Sequence, residues 1–140
     1  MEDQKDQVLK RLEKLFKNLE SGLTRDKYLE LCEQMGNEPI EEEIPPDWED
    51  FPDIVVYAIN TFNMMGDRVY PEIGYTGKDY TNLAEYLDLY EIQDKEYFLQ
   101  ILSWLDSRAI KQSSDDLQRA HEKAKRQASG GKRNKTHITG

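Results

Sequence analysis

Residues 53–62, Asp-Ile-Val-Val-Tyr-Ala-Ile-Asn-Thr-Phe, decide the fold class. The first five have the β-branched and aromatic make-up of a strand. The continuation favours a helix. Val55, Ala58, Ile59 and Phe62 recur at spacings of three, four and seven, and Ile54 and Val56 widen that stripe. A helix over 51–65, with Pro52 as its first residue, makes the whole chain read as all-α.

Upstream, Val8, Leu12, Leu15 and Leu19 form the apolar stripe of a helix over 6–19, flanked by Leu9 and Phe16. Ser21-Gly22 ends it. Thr24 is placed to cap a second helix, whose apolar face is Tyr28, Leu31, Cys32 and Met35 and whose stop is Gly36. Residues 37–53 hold eight acids, no base and four prolines, and read as an extended acidic linker.

Downstream, 66–81 is rich in Gly and Tyr and reads as a loop. Asp79 or Thr81 is placed to cap a short helix ending at Tyr90. Asp94 caps the last helix, whose stripe is Phe98, Ile101, Leu102, Leu105 and Ala109. Residues 117–127 extend that helix, and disorder is expected from 128. The expected architecture is a small bundle of about five helices. Its parts are a helical hairpin (1–36), the acidic linker (37–53), a helical core (54–116) and a basic tail (117–140), partly helical, then disordered.

The chain has 140 residues and a net charge of −9, unevenly spread. From Leu117 onward there are seven bases and one acid, giving +6; the remainder has 12 bases and 27 acids, giving −15. An acidic body repels phosphate, so only the tail suits nucleic acid, through Lys123, Lys125, Arg126, Lys132 and Arg133. The tail has no aromatic residue for base stacking. The single cysteine, Cys32, excludes an internal disulfide framework and reads as a small core residue. No signal peptide and no membrane span are legible, so a cytoplasmic protein is expected.

Catalytic signals are weak. Gly74-Tyr75-Thr76-Gly77-Lys78-Asp79 fails the phosphate-loop pattern, because Glu72 and Asp79 stand where Gly and Ser or Thr are needed. Glu41-Glu42-Glu43 diverge along an extended segment and do not converge on a cation. His121 and His137 lie in the tail without ligand-spaced neighbours. The chain therefore reads as non-catalytic, with no cofactor and no metal. Trp48, Phe51, Tyr70, Tyr75 and Tyr80 belong to a crowd of aromatics that a small core cannot wholly bury. They are the expected contacts for a protein partner.

The order Pro46-Asp47-Trp48-Glu49-Asp50-Phe51-Pro52, an apolar helix, Gly74-Tyr75-Thr76-Gly77-Lys78-Asp79-Tyr80, a short helix ending Leu87-Asp88-Leu89-Tyr90, and Phe98 to Asp106 resembles small proteins encoded among the tail genes of tailed bacteriophages. The segment Leu23 to Gly36 resembles them too. Lys78 stands where those proteins more often carry an apolar residue, and the basic tail lies outside the pattern. The resemblance implies a tail assembly chaperone that holds the tape-measure or another tail protein, in the host cytoplasm or the virion. The alternatives are a head–tail connector or minor virion component, or a DNA-associated regulatory protein using the basic tail.

Overall fold

The computed structural model describes the backbone of residues 2–138 and the side chains of residues 4–130. Five α-helices are α1 (Glu2–Ser21), α2 (Arg25–Met35), α3 (Asp53–Met64), α4 (Leu83–Leu89) and α5 (Lys95–Ile138). Two short strands, β1 (Asp67–Tyr70) and β2 (Gly74–Lys78), separate α3 from α4. The chain is thus mostly helical, but the all-α expectation is corrected by this hairpin. It divides into two compact units, Met1–Tyr57 and Ala58–Gly140, and the division falls within α3.

In the first unit the helix ends follow the expected chemistry. Thr24 accepts the Lys27 N–H at 3.3 Å and caps α2. α1 and α2 end alike: Gly22 (φ 77°) and Gly36 (φ 70°) are left-handed, and paired backbone bonds close each last turn. Leu12 and Leu15 of α1 are buried, as are Pro45, Phe51 and Val55. α2 buries no residue, so its expected apolar face is only partly covered. Residues 37–53 are not extended throughout. They wind into 3₁₀ turns at Glu41–Glu43 and Trp48–Asp50, the second closed by a reciprocal Asp47–Asp50 capping box.

The second unit is built on the first half of α5. Phe98, Ile101, Leu102 and Leu105 are buried along the expected stripe, with Ala58, Met65, Ile92 and Tyr97. Asp94 accepts the Tyr97 N–H at 3.0 Å and starts the helix, as expected. The short helix α4 is not capped by Asp79 or Thr81. Asp79 instead accepts the N–H and hydroxyl of Thr81 in a local turn, which holds its carboxyl below the usual range.

The hairpin forms where a loop was expected because Pro71-Glu72-Ile73 is a three-residue connection rather than the middle of a long one. Glu72 (φ 72°) and Gly74 (φ 87°) take the left-handed backbone that reverses the chain. Val69 then pairs with Tyr75 and Tyr70 with Gly74, while a bulge lies between Asp67 and Val69. α5 is also longer than expected, running helical to Ile138 through the segment read as disordered. Gln, Arg, Ala, Glu and Lys dominate 118–127. Once a helix is nucleated by packing, such residues propagate it at little cost.

Candidate functional site

The second unit carries the most organised polar cluster. Asp106 lies beside the buried stripe of α5 and is itself buried. Its Oδ1 accepts the Tyr75 hydroxyl, while its Oδ2 accepts the Tyr80 hydroxyl at 2.7 Å and the Lys78 N–H at 3.1 Å. Two turns further, Ser113 Oγ accepts the Tyr75 N–H at 3.3 Å. The side chains of α5 therefore take the outer edge of β2. Close approach is a condition of this docking. A Cβ on Gly77 (φ 129°) would lie 3.2 Å from Asp106 Oδ2, and one on Gly74 would lie 2.8 Å from Leu117 Cδ1.

Burial, and then the hydrogen bond to and charge of Asp106, push the hydroxyls of Tyr75 and Tyr80 well above the ordinary phenol range. Both stay protonated and donate. Three of the roughly four acceptor positions of the carboxylate are thereby filled. Chemically this is a latch between hairpin and helix.

Lys78 is buried next to the latch. Its ammonium meets Asp67 Oδ1 at 2.5 Å and the Met65 carbonyl at 3.4 Å, and lies 4.5 Å from the Phe62 ring centroid. Phe62, Asp67, Tyr75, Lys78 and Ala109 line an open depression of about 230 Å³. That is below the size of most small-molecule pockets, which begin near roughly 300 Å³.

The outer face of the hairpin differs. Among the described residues β1 pairs only with β2, and all four of its residues are exposed. Val69 is 63% exposed, Tyr70 47% and Ile73, in the turn, 66%. This open edge leaves backbone donors and acceptors in solvent beside three large apolar side chains.

In the first unit, Trp48 is 39% exposed and stands between Phe16 (centroids 6.3 Å apart) and Phe51 (6.4 Å). Phe51 is only 7% exposed and supports the indole from within. Arg25 ties the acidic segment down, donating from Nε to the Pro45 carbonyl at 3.1 Å and pairing with Asp50. A cleft of about 540 Å³ lies here, lined by Arg11, Lys14, Arg25 and Leu29 with Glu41, Glu42, Ile44, Pro46 and Asp50. Its cations and carboxylates are evenly mixed, which selects neither an anion nor a cation.

Of the five expected partner-binding aromatics, the structure brings Tyr75 and Tyr80 together, on Asp106. Tyr70 and Trp48 are exposed in separate units, and Phe51 is buried. Lys123, Lys125 and Arg126 are exposed on α5, and the side chains of Lys132 and Arg133 lie outside the described residues. Sequence reasoning missed Asp106, Val69 and Ile73. The available signals were an acid directly following Leu105 of the core stripe, and β-forming residues on both sides of Pro71-Glu72. Among the described residues, no three His, Cys, Asp or Glu side chains converge as a metal site, and no helix is long and apolar enough to cross a membrane. No protein-family model, curated protein or solved structure matches this chain.

Proposed function

We propose that this chain is a non-enzymatic protein-binding module of tailed-phage morphogenesis. It acts as a tail assembly chaperone that holds an aggregation-prone tail protein such as the tape measure. The phage assignment rests on the sequence resemblance. The binding role is carried by one observation: the exposed edge strand β1 with Val69, Tyr70 and Ile73, presented on a hairpin whose other edge is taken by α5. A strand of the partner adds to β1 through main-chain hydrogen bonds, with Val69 and Tyr70 flanking it on opposite faces of the sheet and Ile73 at its end. Tyr75 and Tyr80 hold the hairpin rather than touch the partner. The strongly acidic body keeps the complex soluble.

Co-expression with candidate tail proteins tests this reading. The partner's soluble fraction rises with the native chain and falls back with Val69→Asp or Ile73→Asp. Unchanged solubility with the native chain overturns it.

A further inference from the structure

A second surface stands apart from the hairpin edge and does not depend on its role. α5 makes close approach to the hairpin as far as Leu117, at Gly74. Beyond that point the helix continues to Ile138, and every residue from Gln118 to Gly130 is exposed. Twenty-two residues of helix, Leu117 to Ile138, span about 33 Å at 1.5 Å per residue.

The composition of this extension narrows what it can bind. Arg119, Lys123 and Arg126 are spaced i, i+4 and i+7 and share one face; Glu122, the one acid between 118 and 130, borders that face, and Lys125 lies about 100° round the helix from Arg126. The apolar side chains between 118 and 130 are alanines. A helix that enters a protein groove, or lies on a bilayer surface, needs a stripe of large apolar residues, and this one has none. It also lacks rings on which the bases of a single strand would stack. What remains is an exposed line of cations matched to a line of phosphates. From Arg119 to Arg126 that line spans about 10.5 Å at 1.5 Å per residue, which matches about three phosphate steps of 3.4 Å along one strand.

The carboxylates of its own unit act on the extension mainly at its start, where Asp115 and Asp116 lie within about one turn of Arg119. Charges in solution are screened over about 8 Å at physiological ionic strength. Most of the extension therefore lies beyond the reach of carboxylates on the packed part of its own unit.

We propose that the C-terminal extension of α5 binds the phosphate backbone of duplex DNA without regard to sequence, through Arg119, Lys123, Lys125 and Arg126.

The test titrates the full-length chain against a fluorescent duplex of about two helical turns, by anisotropy, at several salt concentrations. Binding is expected at about 50 mM NaCl, with log K falling linearly with log[NaCl] at a slope no steeper than about −6, since seven bases are present. The triple variant Arg119→Ala, Lys123→Ala, Arg126→Ala keeps its helicity, because alanine is the best helix former. It is expected to bind at least about tenfold more weakly, with a slope shallower by about 3. The pair Arg119→Lys, Arg126→Lys is expected to stay within about threefold of the native chain, since phosphate neutralisation needs charge rather than a guanidinium. No binding at about 50 mM NaCl overturns the proposal, as does undiminished binding by the triple alanine variant. Tighter binding to single-stranded DNA, anionic vesicles or polyglutamate than to the duplex overturns it as well.

Discussion

The Tyr80 hydroxyl donates to Oδ2 of the buried Asp106 at 2.7 Å, and this joins the segment after β2 to the first half of α5 across 26 residues of sequence. Tyr75 and the Lys78 amide reach the same carboxylate. One acid thus holds the hairpin that presents β1. Replacing it strands three donors, each costing about 1–3 kcal/mol when left unsatisfied. Asp106→Ala is expected to lose about 3 kcal/mol, read as a lowered urea midpoint, and to open the hairpin amides to hydrogen exchange. Asp106→Asn keeps one acceptor oxygen and loses less.

Alkaline pH should loosen the same contact. Tyr75 and Tyr80 have raised pKa values in the folded state, so the folded chain holds protons that the unfolded chain releases above about pH 10. The stability they contribute is complete below about pH 10 and is lost as pH rises through the folded values. Unfolding free energy measured from pH 8 to 11 should fall at the upper end, and the Tyr75→Phe, Tyr80→Phe double variant should show a flatter fall there.

Acid should act on the first unit. The Asp47 N–H, and then Arg25, hold the Asp50 carboxyl below its ordinary range. Its stabilising contribution is therefore complete above the unfolded value of about 3.9 and is lost as pH falls through the lower folded value. Asp50→Asn should remove that part of the acid transition. A profile unchanged between pH 5 and 2 would show that the pairing contributes nothing.

Two glycines are expected to resist substitution. Gly74→Ala and Gly77→Ala each combine a left-handed backbone with a Cβ crowding α5, at Leu117 and Asp106 respectively. Each should cost about 1–3 kcal/mol by thermal or urea unfolding. Gly66→Ala meets nothing within 4 Å and should be close to neutral.

Surface substitutions on β1 should separate stability from binding. Val69→Lys and Ile73→Lys change exposed positions and are expected to shift stability by no more than about 0.5 kcal/mol. Calorimetry on the free chain checks this. A large loss would mean that these side chains are packed rather than presented.

Much of the helical frame was legible along the chain. The caps at Thr24 and Asp94, the stop at Gly36 and the stripe Phe98-Ile101-Leu102-Leu105 are local signals, set by side chains within a few residues of each other. The helix over 53–62 was readable for the same reason, because its 3.6-residue period outlasts the strand-like Ile-Val-Val-Tyr run. The hairpin was not. Its strands have four and five residues, too few for alternation to stand out against Gly and Pro.

The site was least legible where partners are far apart in sequence. Asp106 looks like a solvated acid on α5 until Tyr75 and Tyr80 arrive from about 30 residues upstream. Likewise Lys78 looks like an exposed base until Phe62 and Asp67 enclose it. By itself the sequence determined where the main helices form, the ends marked by Thr24, Gly36 and Asp94, and the charge division between an acidic body and a basic end. Those follow from backbone hydrogen bonding and composition. Only the tertiary structure decided which tyrosines are latches and which are presented, because the partner of a hydroxyl is set by folding: Tyr80, though 38% exposed, is held by its bond to Asp106.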